Sequence, residues 1–75
     1  MTMTVLSEKL VVTINGERRS LPGSLTIDEL LSELGLRRDL VAVELNRDLI
    51  RKKAFSEQRV SDGDRLEIVE FVGGG

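Results

Sequence analysis

The sequence predicts an α+β domain in which one short helix covers a mixed β-sheet. Several segments rich in β-branched residues alternate apolar and polar positions, as strands with one buried face do. Between them lies a single stretch whose apolar residues have helical spacing, at Ile27, Leu30, Leu31 and Leu34. Because a sheet face and a helix stripe that are both apolar must be shielded from water, we expect them to pack against each other.

A β-hairpin is predicted at the start of the domain. Residues 10–14 read LVVTI, and Asn15-Gly16 follows. This pair suits a type I′ turn, whose two central residues have positive φ. Residues 17–21 are the predicted return strand. The alternate residues of the first strand are expected to face the core: Leu10, Val12 and Ile14. Residues 1–9 are either a loose leader or an extension of the first strand.

The helix is predicted over residues 27–34. Thr26 and Glu29 have the spacing of a capping box at its start. Gly35 suits the position just beyond the end of a helix, where the backbone turns left-handed. A helix of this length is about 12 Å long, too short to be stable without packing against the rest of the domain.

Strands are predicted again over residues 40–45, 49–51 and 65–71. The expected core residues of this part are Val41, Val43, Leu45, Phe55, Val60, Leu66 and Ile68. Alternation places Val69 and Phe71 on the opposite face of the last strand, although a shift of one residue would turn Phe71 into the core. With the first and last strands paired in parallel at the centre, this order is the β-grasp, or ubiquitin-like, arrangement of four to five strands and one main helix.

The composition of the chain excludes several classes of function. The chain has no cysteine and no histidine, so it lacks the usual general base near neutral pH and the commonest metal ligand. We therefore expect neither a catalytic centre of its own nor a metal site. The net charge is −2, the signs are interspersed and only two residues are aromatic, which argues against nucleic-acid binding.

Two clusters of charged residues are interpreted as parts of turns or solvent-exposed loops and not as binding sites. Arg51-Lys52-Lys53 is read as a solvated loop rather than a docking patch, and Asp62 and Asp64 as turn formers rather than metal ligands. No apolar run approaches the roughly 18 residues of a membrane span, and the N-terminus lacks a signal-peptide pattern. We expect a cytoplasmic protein that binds no membrane.

Gly73-Gly74-Gly75 follows the last predicted strand directly. Glycine has no Cβ, so such a segment can pass through a narrow slot in a partner and present its terminal carboxylate there. The sequence is therefore divided into a β-grasp domain at 10–72 and a flexible glycine tail at 73–75. A terminus that merely frays is the alternative interpretation of the same residues.

From residue 10 to residue 75 the sequence resembles the ThiS family, the sulfur carrier proteins of thiamine biosynthesis. Three segments carry the resemblance: residues 12–17 (VTINGE), 41–46 (VAVELN) and 63–75 (GDRLEIVEFVGGG). One local departure lies after the third strand. Relatives often have Asn-Gly-Glu there, whereas this chain has Asn46-Arg47-Asp48.

The resemblance implies a carrier rather than an enzyme. A ThiF-like partner, which would itself bind ATP and Mg²⁺, would adenylate Gly75, and a donor such as a cysteine desulfurase would supply sulfur for a thiocarboxylate. A ThiG-like thiazole synthase would receive that sulfur. Gly73 and Gly74 would be the stalk that enters the partner active sites, and the chain itself would bind no cofactor. The candidate partner contacts on its body are Val69, Phe71 and Val72.

Two other functions use the same fold. One is a sulfur carrier like the small subunit of molybdopterin synthase, which also ends in Gly-Gly. Relatives of that kind often place proline before the glycines, whereas here Phe71-Val72 leads into them. The other is a ubiquitin-like modifier that would be joined to a partner's lysine through Gly75.

Overall fold

A computed structural model describes residues 9–72 of the 75-residue chain. Its elements in chain order are β1 (Leu10–Ile14), β2 (Glu17–Leu21), α1 (Ile27–Glu33), a 3₁₀ turn (Arg38–Leu40), β3 (Val41–Leu45), β4 (Asp48–Ile50), a second 3₁₀ turn (Lys52–Ala54) and β5 (Arg65–Glu70). The five strands form one sheet in the order β2-β1-β5-β3-β4. This is the predicted β-grasp arrangement, and no helix in the described range is long and apolar enough to cross a membrane.

The last strand lies at the centre of the sheet. β5 pairs antiparallel with β3 from Val41 opposite Glu70 to Leu45 opposite Leu66. On its other side it pairs in parallel with the end of β1, where Thr13 lies opposite Arg65. β2 and β4 are the outer strands, each paired antiparallel with its neighbour. The segment that leads to the C-terminus is therefore held from both sides.

The side chain of Asn15 continues the parallel pairing after the β1 backbone has turned away. Its Oδ1 accepts a 2.7 Å hydrogen bond from the Ile68 N–H, and its Nδ2 donates a 3.0 Å bond to the Ile68 carbonyl. The Asn15 backbone N–H also donates to the Leu66 carbonyl at 2.9 Å. One amide group thus satisfies both backbone groups of Ile68 on the side that faces β1.

The core lies between the helix and one face of the sheet. It consists of Val12, Ile14, Leu21, Ile27, Leu30, Leu31, Val41, Val43, Leu45, Phe55, Val60, Leu66 and Ile68, all buried. Every residue that alternation or helical spacing assigned to the core belongs to this cluster, except Leu10 and Leu34. Those two are only partly buried and pack against its edge.

The helix boundaries follow from the predicted caps. Thr26 and Glu29 form a reciprocal capping box, with side-chain to backbone hydrogen bonds of 3.1 and 2.9 Å. At the other end Gly35 has φ +72°, and its N–H donates to the Ser32 carbonyl. The Leu36 N–H donates to the Leu31 carbonyl, which completes a Schellman motif. Leu34 is therefore the C-cap, and the helix ends one residue earlier than predicted.

Four strand boundaries, in three strands, differ from the prediction by one residue. Leu40 belongs to a 3₁₀ turn, so β3 begins at Val41. β4 spans Asp48–Ile50, because the preceding turn uses only two residues. β5 ends at Glu70, although the Phe71 N–H still donates a 2.7 Å hydrogen bond to the Leu40 carbonyl.

Lys52 has a structural role that the sequence did not indicate. Its Nζ donates a 2.8 Å hydrogen bond to the Val41 carbonyl and lies 6.0 Å from the ring centroid of buried Phe55. The guanidinium of Arg38 lies 5.5 Å from the same ring and also forms an ion pair with Asp28 at 2.9 Å. These two cations cover Phe55 at the surface, where both geometries suit a cation–π interaction.

Asp62 and Asp64 are turn residues, as predicted. The Oδ1 of Asp62 accepts a 2.7 Å hydrogen bond from the Val11 N–H. Asp64 accepts bonds from the Ser61 N–H and from the Asn46 amide. The turn before β5 is thereby fastened to β1 and to the turn that follows β3.

The two hairpin turns have the same geometry but different second residues. Asn15 and Gly16 have φ values of 51° and 85°, and Asn46 and Arg47 have φ values of 52° and 75°. Glycine adopts positive φ without steric strain, whereas a residue with a Cβ does so at a cost of about 1–2 kcal/mol. Arg47 is therefore less stable in its turn than glycine would be.

We expect Arg47→Gly to raise the free energy of unfolding by up to about 1 kcal/mol, because the relieved strain exceeds the extra backbone entropy that glycine gives the unfolded chain. Urea denaturation measures this difference. The matched control is Arg51→Gly, since Arg51 is also exposed but has φ −75°. That variant should be less stable than the parent protein. Destabilisation of both variants to the same extent would contradict the prediction.

Asn15→Asp should lower the free energy of unfolding by about 1–2 kcal/mol, because it removes one hydrogen bond and faces a carboxylate oxygen toward the Ile68 carbonyl. Aspartate also tolerates positive φ, so the turn itself is preserved. Urea denaturation at neutral pH gives the measurement. An unchanged midpoint would show that the amide contact with Ile68 contributes nothing to stability.

Candidate functional site

The candidate site is the end of β5 on the face of the sheet that the helix leaves uncovered. Leu66 and Ile68 point into the core, so Arg65, Glu67 and Val69 lie on this open face by alternation. Val69 is 56% exposed, and Phe71, just beyond the strand, is 54% exposed. Both residues therefore point away from the core. The alternative in which Phe71 completes the core is wrong.

Apolar side chains surround the point where the chain leaves the sheet. Val69 lies opposite Ala42 on β3, and Phe71 is hydrogen-bonded to the backbone of Leu40. Val72, the last described residue, is 84% exposed. We call this set, Leu40, Ala42, Val69, Phe71 and Val72, the tail-root patch. It contains all three of the partner contacts that the sequence predicted, and exposed apolar clusters of this kind mark interaction sites.

A second group of side chains occupies the same face toward the other end of β5. Glu44 and Glu67 lie directly opposite each other on β3 and β5. With Arg47, Arg65 and Asn46 they line an open depression of about 530 Å³. We call the four charged residues, Glu44, Arg47, Arg65 and Glu67, the charged strip. All four are exposed.

The sequence did not reveal the residues that neighbouring strands add to the site. Ala42 and Glu44 were recognisable only as members of the non-core face of β3, and their pairing with Val69 and Glu67 depends on strand order. Leu40 lies in the 3₁₀ turn before β3 and adjoins the patch through the hydrogen bond between its carbonyl and the Phe71 N–H. No sequence signal for that turn was recognised.

Gly73, Gly74 and Gly75, the predicted tail, lie outside the described residues. Three residues of any chain span at most about 11 Å, so a centre that acts on Gly75 must lie within that distance of Val72. A protein that holds such a centre therefore has to approach the tail-root patch. Among the described residues there is no group of histidine, cysteine or acidic side chains that could hold a metal ion.

Comparison with known proteins shows which family this chain resembles. Residues 12–75 match the ThiS family. The sulfur carrier protein ThiS of Bacillus subtilis is 44% identical over 50 residues, which cover 67% of this chain and 76% of that protein. The crystal structure of the thiamine biosynthesis protein ThiS from Geobacter metallireducens superimposes with a TM-score of 0.76 at 39% identity. It covers 88% of this chain and all of that chain.

A much longer relative contains a segment like this chain. A thiazole synthase of Paramagnetospirillum magneticum is 47% identical over 64 residues. These residues make up 85% of this chain but only 20% of the synthase, so most of that protein has no counterpart here.

The family match extends from β1 through the tail-root patch to Gly75, and the Geobacter structure shares the fold. The chain therefore belongs to the ThiS family, the sulfur carriers of thiamine biosynthesis.

Proposed function

We propose that this sulfur carrier is loaded at the carboxyl group of Gly75. The observation that carries the proposal is the position of β5, which lies between two strands and leads directly into the glycines. A rigid strand followed by residues without side chains can deliver an unhindered carboxyl group to a centre in another protein. The family match reaches Gly75 and supports this assignment.

A carboxylate resists nucleophilic attack, so loading requires activation. In the proposed first step a Gly75 carboxylate oxygen attacks the α-phosphorus of ATP, which forms an acyl-adenylate and releases pyrophosphate. The partner is a ThiF-like adenylating enzyme, and it binds the ATP and Mg²⁺ itself. This chain contributes the carboxylate and its own binding surface, and it is a substrate of the reaction rather than its catalyst.

Sulfur then replaces the adenylate. The terminal sulfur of a persulfide on a donor protein, such as a cysteine desulfurase, attacks the acyl carbon and displaces AMP. A second thiol then attacks the donor cysteine's own Sγ in the resulting acyl disulfide and breaks its S–S bond. The thiocarboxylate of Gly75 is the leaving group, and the donor cysteine becomes joined to the attacking thiol in a new disulfide. With no cysteine in the chain, no thiol of its own can capture the activated acyl group.

The proposed acceptor of the sulfur is a ThiG-like thiazole synthase. The Paramagnetospirillum thiazole synthase supports this pairing, because it includes a segment similar to this chain. Transfer again requires Gly75 to enter a partner centre, with Gly73 and Gly74 as the stalk. Because ATP and the persulfide donor are cytoplasmic reactants, we place the cycle in the cytoplasm.

Both partners must contact the tail-root patch, given the short reach of the tail. Val69 and Phe71 are half-exposed and Val72 is almost fully exposed. Apolar groups of this kind gain free energy when a partner covers them, at about 25 cal/mol per Å² of surface removed from water. They are the proposed source of the affinity that brings Gly75 to each centre.

Deletion of Gly75 should abolish carrier-dependent adenylation, because it shortens the tail by one residue and moves the carboxylate away from ATP. Pyrophosphate exchange with the ThiF-like enzyme measures this step. The urea unfolding midpoint should not change, since β5 ends at Glu70. Adenylation of the shortened chain at the normal rate would refute the assignment of Gly75.

Intact mass spectrometry of the parent protein should show one oxygen replaced by sulfur.

Phe71→Ala should raise the KM for the carrier in adenylation about tenfold, which corresponds to about 1.4 kcal/mol. A few large side chains near the centre of an interface supply most of its binding energy, and Phe71 is the largest apolar residue of the patch. The kcat should change little, since Phe71 holds the body of the carrier and does not touch the reacting atoms. Urea denaturation should show a loss below about 1 kcal/mol, in keeping with the half-exposed ring. An unaltered KM would remove Phe71 from the docking surface.

A further inference from the structure

The charged strip carries an arrangement that opposes stability. Glu44 and Glu67 are direct cross-strand neighbours, and like charges in that position repel. Arg47 and Arg65 line the same depression. The ion pairs formed among the described residues join Arg37 to Asp39 and Arg38 to Asp28, so within residues 9–72 the strip's carboxylates remain without a salt bridge.

Arg47 adds a second unfavourable feature to the strip. It occupies the turn position with φ 75°, which Gly16 occupies in the other hairpin without strain. Neither feature serves the core, since all four side chains of the strip are exposed on the face away from the helix. Sequence choices that break local rules in this way occur at functional surfaces.

The strip is continuous with the tail-root patch. Glu67 precedes Phe71 by four residues on the same side of β5, a separation of about 13 Å along an extended chain. A stable protein interface covers about 800 Å² on each partner. A protein that covers Val69 and Phe71 with an interface of that size also reaches Glu67 and its neighbours.

The chemistry of adenylation and sulfur transfer indicates which partner depends most on the charged strip to recognise the carrier. Before adenylation the reacting group is an ordinary glycine carboxylate, which any chain that ends in glycine presents. The adenylating enzyme therefore has to identify its substrate from the body of the carrier. At the later transfer the thiocarboxylate sulfur itself distinguishes the loaded carrier.

We propose that the charged strip is the surface by which the adenylating enzyme recognises this carrier. The complementary surface presents basic side chains to Glu44 and Glu67 and acidic side chains to Arg47 and Arg65. This inference rests on the proposed function, in which Gly75 is adenylated. It adds the residues that select the carrier at that step.

The test measures adenylation kinetics of Glu67→Lys with the ThiF-like enzyme from the same organism. The control is Glu33→Lys, which changes the net charge equally at an exposed position on the helix. We expect the KM of Glu67→Lys to be about tenfold higher than that of the parent, because the variant loses one complementary charge pair with the enzyme. Its kcat should stay within about twofold of the parent value. The KM of the control should remain unchanged.

Salt and stability give two further readouts. The KM of the parent should rise with ionic strength, and that of Glu67→Lys should rise less, because it has lost an attraction that salt screens. Glu67→Lys replaces a repulsive pair by an attractive one, so its urea midpoint should not fall. Arg47→Gly should likewise keep or gain stability while its KM for adenylation rises. A purely structural role would lower stability and activity together.

Each contrary result has a distinct meaning. If the parent is adenylated and Glu67→Lys has the same KM as Glu33→Lys, the inference is overturned while the proposed function stands. If the parent is not adenylated at all, the proposed function fails instead. Equal impairment of sulfur transfer from a preloaded carrier to thiazole synthase would overturn selective recognition by the adenylating enzyme. A parent dimer that Glu67→Lys dissociates would identify a second copy as the occupant of the strip.

Discussion

The hydrogen bonding of β5 to both of its neighbours is the constraint on which the rest of the structure depends. β3 pairs with it along most of its length, and on the other side the Asn15 amide continues the short parallel pairing with β1. Because the strand before the tail is central, it cannot shift without disrupting the whole sheet. The point at which the tail leaves the domain is therefore as fixed as the core.

This central strand also divides the domain into two faces with different tasks. Leu66 and Ile68 join the buried cluster beneath the helix, and the intervening side chains lie on the open face. Stability is concentrated on the first face, through caps, core packing and the cations over Phe55. The open face is consequently available for the side chains whose proposed role is binding, including Phe71 and the opposed carboxylates of Glu44 and Glu67.

Most of the fold was predictable because local and global signals agree. Alternation identified the core residues Val41, Val43, Leu66 and Ile68, and the Thr26 and Glu29 spacing located the start of the helix. The site was predictable only where it belongs to one continuous segment, at Val69, Phe71 and Val72. Arg38 over Phe55 and Glu44 opposite Glu67 are contacts between residues distant in sequence. Periodicity within a segment carries no information about such contacts, so the charged strip became visible only with the strand register.

The energetics of the tail support the proposal that the charged strip and the tail-root patch belong to one interface. The sequence predicts a flexible segment at 73–75, and fixing three residues in a partner costs about 3–6 kcal/mol of backbone entropy. The glycines themselves contribute no free energy of burial to offset this cost, because they have no apolar side chain. Covering the exposed part of Val69, Phe71 and Val72 contributes roughly 1–2 kcal/mol each, about 3–6 kcal/mol in total. The patch alone therefore offsets the tail at best, and the affinity for the adenylating enzyme has to come from further contacts on the body of the carrier. The charged strip is the part of that face which a partner already seated on Phe71 can reach.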